Sequence, residues 1–437
     1  MARPKLLWSV MGLFVLACAD PKDPGSESPD TETGDGDGDG DGDGDGDGDG
    51  DGDGDGDGDG DGDGDGDGDA DPCAEPGEWT VVDSQACFAI ANPIPEPDPL
   101  PSFDWAYEHL GQIDVDDLNH VHVVTDRVYI QGFDDDGRVV AHRLVHRSNE
   151  SGEWVETVIT DAETGELAMK VSGAGDLTVL TSDRIYARVA GVWTQAAPHE
   201  DWAPPFVADL YGLERSTNTI YLHNRASENS SILAGPPDCL QPILAVEPAG
   251  CMPNIQPYVG AVGAPGALEM LGEYGYDLIH YHYENGQLTE QVLDDDLTHS
   301  FHALAADSNG RLYACSVVGQ YAEGEDAASW TVTKLDDPVS DHQLDQVESC
   351  RVDTADDGGN AWAIYRAFEG AMDHHYVAHI VDGVIDYELM GTGQQEGHFP
   401  SIAVTVDGEP HVLINHGAGH RYYHREAGAW VGLDLLP

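Results

Sequence analysis

Ser401-Ile-Ala-Val-Thr-Val406, Asp407-Gly-Glu-Pro410, His411-Val-Leu-Ile414, Arg421-Tyr-Tyr-His424 and, after Gly428, Trp430-Val-Gly-Leu-Asp-Leu435 read in order as strand, turn and three further strands. Four short antiparallel strands in about forty residues make one blade of a β-propeller. The plan recurs upstream. Leu304-Ala-Ala-Asp-Ser-Asn-Gly-Arg-Leu-Tyr-Ala-Cys315 repeats the strand, acidic-Gly turn and second strand, and Val352-Asp-Thr-Ala-Asp-Asp-Gly-Gly-Asn-Ala-Trp-Ala-Ile364 does so again. Outer strands are announced by Gly, one residue, then a large apolar residue: Gly152-Glu-Trp154, Gly191-Val-Trp193, Gly286-Gln-Leu288, Gly383-Val-Ile385 and Gly428-Ala-Trp430, with Ala328-Ser-Trp330 departing only in its small residue.

Trp154 to Trp193 is 39 residues, Trp193 to Trp330 is 137 and Trp330 to Trp430 is 100, intervals that divide into units of roughly 40 to 50 residues. The expected fold is therefore all-β: a single propeller of about seven four-stranded blades over residues 109–437, with six or eight as alternatives. Gly77-Glu-Trp79-Thr-Val-Val82 is one more outer-strand look-alike, expected to complete the last blade or cap the first. It lies in an N-terminal cap segment, residues 73–108.

Ahead of the cap the composition changes. Residues 34–69 are a strict Gly-Asp alternation within an acidic linker, residues 18–72. Between Ala19 and Asp69 no apolar side chain offsets the entropy of ordering, so this segment cannot fold alone. As a coil its 36 residues span about 30 to 36 Å, and Asp self-repulsion stretches it further. Alternate Asp imitates the start of an EF-hand loop but puts Gly where the bidentate Glu is required, so only loose Ca²⁺ condensation is expected there. Residues 1–17 read as an export signal: Arg3 and Lys5 precede an apolar run, Leu6 to Ala17, too short to span a bilayer.

The ending Val15-Leu16-Ala17-Cys18 resembles the lipobox of bacterial lipoproteins. The resemblance implies cleavage before Cys18, lipid on that residue, and a partner in the membrane through it, at the bacterial cell envelope on the outer membrane or cell surface. An ordinary secretory signal with an incidental Cys is the competing reading. The closing blade, with Pro400-Ser-Ile-Ala-Val and Gly-Glu-Pro-His-Val, resembles repeats of the sialidase-like, BNR-type propellers of exported bacterial proteins. It implies a fold and not an activity; Thr354 to Trp362 is one residue too long for a sialidase Asp-box.

The chain carries 83 acidic and 18 basic residues, a formal charge of -65, and from Cys73 onward 59 against 15. Such a polyanion repels phosphates, which argues against nucleic acid as a partner. Export fits the cysteines: apart from Cys18 there are six, and the local pairs Cys73 with Cys87, Cys239 with Cys251, and Cys315 with Cys350 are the simplest of the 15 pairings.

Motifs for chemistry are sparse. There is no Gly-x-Ser-x-Gly elbow, His-Glu-x-x-His or phosphate loop, and Gly260-Ala-Val-Gly-Ala-Pro-Gly266 has the wrong spacing for a dinucleotide. His120-Val-His122 and His280-Tyr-His282 place two imidazoles on one strand face, a chelating spacing that still lacks a third ligand. Acidic turns at Asp134–Asp136, Asp294–Asp296 and Asp356–Asp357 could take Ca²⁺; no other cofactor is expected. Residues just before an innermost strand project toward a propeller's channel mouth, which nominates His109, His299, His302 and His398 as a ligand-binding rim, cationic below about pH 6.5. The function expected is a non-catalytic, monomeric binding propeller displayed on a lipid anchor, for an extracellular or envelope ligand. The alternative is an exported glycoside hydrolase or polysaccharide lyase.

Overall fold

A computed structural model of the protein describes residues 78–435, apart from 83–88, 133–136, 183, 199–207, 226–229, 238, 248–255, 275–276, 295–300, 317–318, 325–329, 338–341, 344–346, 356–358, 370–371, 394–399 and 417–418. The readings that rest on Cys18, the Gly-Asp run, Cys73, Cys87, Cys251, His299 and His398 fall outside the described residues.

Seven antiparallel sheets of four or more strands follow one another, each with four consecutive strands in sequence order, and a two-stranded ladder, Asp336–Asp337 with His342–Gln343, stands beside them. Numbered along the chain, blades 1 to 7 have innermost strands Trp105–Val115, Leu167–Val171, Ala208–Glu214, Gln256–Val262, Phe301–Ala306, Val347–Thr354 and Ser401–Val404. Each innermost strand packs on that of the next blade, and the seventh packs on the first, so the ring is closed. The described residues contain no helix. This is the seven-bladed propeller that the spacing of the repeats predicts.

Turn chemistry explains why the blades repeat. Four of the five Gly markers are the second residues of two-residue hairpins with positive φ at both positions, Ala190-Gly191, Asn285-Gly286, Asp382-Gly383 and Ala427-Gly428, the primed turn that matches strand twist. Each blade also has one positive-φ residue just before its second strand: Asn119, Gly175, Asn218, Gly266, Gly310, Gly359 and Gly408. In four of these turns the side chain three residues earlier accepts an amide hydrogen further on. Asp116 takes His120 N at 2.8 Å, Ser172 takes Asp176 N at 3.0 Å, Asp307 takes Arg311 N at 3.0 Å and Thr405 takes Glu409 N at 3.0 Å.

The apolar core is divided among the seven interfaces between blades. Tyr313, Cys315 and Tyr321 of blade 5 meet Tyr365 and Tyr376 of blade 6, and Ile113, Val115 and Val123 of blade 1 meet Ala403, Leu413 and Tyr422 of blade 7. The Cys315–Cys350 disulfide, Cα–Cα 5.9 Å, ties the second strand of blade 5 to the innermost strand of blade 6. Cys239 is disulfide-bonded too.

Ring closure shares no strand between the chain ends. All four strands of blade 7 are C-terminal, and the closing contacts are side-chain ones besides the apolar cluster. Ser401 Oγ accepts Ile113 N at 3.2 Å, and Asn415 Nδ2 donates to the Glu108 carbonyl at 3.2 Å. Glu108, fully buried, accepts from Arg147, from Arg127 at 3.2 Å and from Thr125 at 3.1 Å, and faces His420 Nδ1 at 3.4 Å. The Gly77-Glu-Trp79 look-alike does not join the last or the first blade. Glu78–Val81 adds a fifth, outermost strand to blade 3, where Trp79 packs on its apolar cluster, and Ala89–Pro93 adds one to blade 2.

Candidate functional site

The innermost strands line a central channel with two chambers of about 320 and 250 Å³. The first lies toward the starts of these strands and takes Gln112, Glu166, Asp209, His302, Arg351 and Ser401; the second lies toward their ends and takes Asp114, Glu214 and Arg215. Lys170, Tyr211, Leu304, Val352 and Asp353 line both, so they form the waist. In a domain with 59 acids and 15 bases, the lining holds five acids, Asp114, Glu166, Asp209, Glu214 and Asp353, and three bases, Lys170, Arg215 and Arg351. The channel is thus far less anionic than the domain around it.

Most of these charges have structural duties. Asp114 on blade 1 accepts Val171 N of blade 2 at 2.7 Å, and at the same place in its own strand Asp353 of blade 6 accepts Val404 N of blade 7 at 2.7 Å. Both carboxylates therefore clamp neighbouring innermost strands. Burial pushes the Asp353 carboxyl up, and the Lys170 charge pulls it back. Arg215 of blade 3 reaches over blade 2 to the Val115 carbonyl at 3.0 Å and Asp117 at 3.2 Å. It passes Gly173, where a Cβ would lie 2.1 Å from the Asp117 carboxylate.

At the first chamber Arg225 Nε pairs with Asp209 at 2.8 Å and its Nη2 lies 3.8 Å from Glu166. Burial pushes the Asp209 carboxyl up to about 6 against the pull of Arg225. Behind Asp209, His223 Nδ1 lies 2.7 Å from the Tyr211 hydroxyl and Nε2 3.1 Å from Ser230 Oγ. That geometry suits a nucleophile and its base, yet His223 is 0% and Ser230 5% exposed, and the Trp79 ring stands over the imidazole at 5.8 Å. Burial pushes His223 down to about 3 and Tyr211 well above its ordinary range. The three form a sealed polar network and not a reactive one. In the Gly260 to Gly266 stretch, Gly260 is a packing residue, since a Cβ on it would lie 2.4 Å from the Tyr211 ring, and Gly266 serves a turn with φ +79°.

Of the four nominated histidines, the structure places His302 in the channel, with burial and then Arg351 lowering its pKa. His109 sits in the bulge of the first innermost strand beside Asp126, His142 and His420, and burial lowers it as well. Both therefore stay neutral to a lower pH than 6.5. The paired histidines are occupied by carboxylates: His280 and His282 flank Glu269 at 2.7 and 2.8 Å, and His120 meets Asp116 at 2.8 Å. His122 contacts His146 at 3.2 Å. Among the described residues no three His, Cys, Asp or Glu are placed to hold a metal ion. The acidic turns nominated for Ca²⁺ lie wholly or partly outside the described residues. Sequence reasoning missed Lys170, Asp353 and Asp209. The available signal was that only Lys170 and Lys334 are lysines beyond Cys73, and Lys170 interrupts an apolar strand, Leu167-Ala-Met-Lys-Val171.

No family model matches the chain, and no curated protein does. Solved structures similar to it include a protein from Lactobacillus plantarum, 14% identical over 66% of this chain and 90% of that one, TM-score 0.46. The WD40 domain of SCAP from fission yeast is 8% identical over 77% and 89%, TM-score 0.43. The K499G mutant of NanB sialidase from Streptococcus pneumoniae is 9% identical over 75% and 68%, TM-score 0.36. At these identities and TM-scores the likenesses say nothing of ligand or activity; the propeller rests on its own strand order.

Proposed function

We propose that the protein is a lipid-anchored envelope protein, held through Cys18 and lifted on its Gly-Asp tether, whose propeller binds a ligand in the central channel without transforming it. The observation that carries this reading is the disposition of the channel's ionisable groups. Asp114 and Asp353 hold neighbouring strands, Arg215 straps two blades, and the Ser230–His223 pair is sealed. Catalysis needs a nucleophile or an acid–base pair poised at a reacting atom, whereas binding needs a concavity with a few convergent polar groups. The test incubates the Cys18→Ser full chain with polysaccharides, glycosides and esters, measuring retention and product release together. Retention without product is expected.

One observation favours a hydrolase or lyase instead: the Asp209 carboxyl, raised to about 6, stands in the same chamber as Glu166. A raised carboxyl beside a second one is the arrangement of acid–base work on a glycosidic bond. Product release abolished by Asp209→Asn would replace the binding reading with this one.

A further inference from the structure

We propose that Lys170 anchors a carboxylate-binding subsite at the waist of the channel, for a small ligand that carries a hydrogen-bond donor beside its acidic group; this rests on the binding reading above. Lys170 lies on the innermost strand of blade 2 and lines both chambers. Among the described residues no hydrogen bond or ion pair holds its ammonium, in contrast to Arg215. A cation in a recess of lowered dielectric is costly without a partner, and a ligand carboxylate is the group that supplies one.

The other half of the subsite faces it. Asp353 comes from blade 6, and its carboxyl feels the Lys170 charge although the two do not close to ion-pair distance. Its Oδ2 is engaged by Val404 N, which leaves Oδ1 to accept from a ligand hydroxyl or ammonium. A cation and an acceptor held apart at one waist match an acid with a neighbouring donor better than a bare anion. Chambers of about 250 and 320 Å³ admit a ligand of a few to a dozen heavy atoms. Electrostatic steering does not bring it in, because the domain as a whole is strongly anionic. Recognition is a contact effect at Lys170.

Lysine scarcity makes the test direct. The chain has four lysines, Lys5, Lys22, Lys170 and Lys334, and Lys334 is exposed on the outermost strand of blade 5. Full chain carrying ¹³C at the lysine ε-carbons, with signals assigned through Lys170→Arg and Lys334→Arg, is titrated with acetate, glycolate and acetamide at matched sodium chloride. The Lys170 signal should move saturably with acetate, at a Kd on the order of millimolar, and glycolate should bind several-fold tighter. Asp353→Asn should remove the advantage of glycolate. No saturable shift, an equal shift with acetamide, or an equal shift at Lys334 overturns the carboxylate assignment. Equal affinity for acetate and glycolate overturns the donor half. Glycan hydrolysis by the protein would defeat the binding reading, and the lysine signal reports independently of it.

Discussion

Glu108→Gln should weaken the ring at its closure. Glu108 is 0% exposed on the innermost strand of blade 1 and gathers Arg147, Arg127, Thr125 and His420. Arg147 is itself 3% exposed, and its other carboxylate, Glu156, is shared with Arg127, which it meets at 2.7 and 2.9 Å. Removing one partner of a buried pair leaves an uncompensated charge, a cost of about 3 to 5 kcal/mol, and the amide's retained acceptor puts this change near 3. Spread over an unfolding entropy of about 2.1 cal/mol/K per residue, such a loss lowers Tm by about 4 °C. Urea unfolding should show a lower midpoint at an unchanged slope.

The pH dependence follows with a definite sign. Burial pushes the Glu108 carboxyl up, but the His420 hydrogen bond and the Arg147 charge outweigh it, and its pKa ends well below the usual carboxylate range. A carboxyl lowered by folding contributes stability that is present above its unfolded pKa of about 4.3 and is lost as pH falls toward the folded value. The native protein should thus lose stability on acidification below about pH 4 more steeply than the Gln variant. A loss under about 1 kcal/mol at neutral pH, or parallel acid profiles, would refute the claim that this buried cluster secures the closure.

Replacing Cys315 and Cys350 by Ala opens a crosslink of separation 35 and should cost about 4 kcal/mol in urea unfolding under oxidising conditions, with no difference once both proteins are reduced. Gly260→Ala drives a Cβ to 2.4 Å from the buried Tyr211 ring, so calorimetry should register about 1 to 3 kcal/mol of destabilisation. Cys18→Ser should move the protein from the membrane to the soluble export fraction with an unchanged far-UV spectrum; continued membrane retention on fractionation would reject lipid at that residue.

Blade number and outer strands were legible because a two-residue hairpin demands positive φ, and the demand leaves a Gly at Gly191, Gly286, Gly383 and Gly428. Inner turns were half hidden. Asp116, Ser172, Asp307 and Thr405 make the same amide contact, and Asn or Gly serves alike at the positive-φ place, so seven equivalent turns share no fixed spelling. The channel and His302 were legible as a place for a ligand, but the charged waist was not. A lysine on a strand reads as solvent-facing, and only closure of the ring turns the position of Lys170 inward, opposite a blade 183 residues away at Asp353. Of the histidine rim, His302 lines the channel, whereas a bulge between Glu108 and Gly111 sets His109 beside Asp126 and His420.

The charges on the outer edges bear on where the two N-terminal strands pair. A propeller exposes the fourth strand of every blade, and an uncharged edge is a template for pairing with another chain. Blades 1, 4 and 6 carry charge inside that strand, at Glu156, at Glu290, and at Asp386 with Glu388, while blades 5 and 7 carry it only at the last residue, Lys334 and Asp434. Blade 2 offers Val192–Pro198 with no charge at all, and blade 3 offers Gln241–Glu247 with one at its final residue, as in blades 5 and 7. These two edges are the ones that Ala89–Pro93 and Glu78–Val81 cover. The new edges are poor templates in turn. Glu78–Val81 is four residues long and starts with an acid, and Ala89–Pro93 runs into Pro95, Pro97, Pro99 and Pro101, none of which can donate an amide to a further strand. The two N-terminal strands therefore cover the one uncharged outer edge, on blade 2, and an edge charged only at its end, on blade 3.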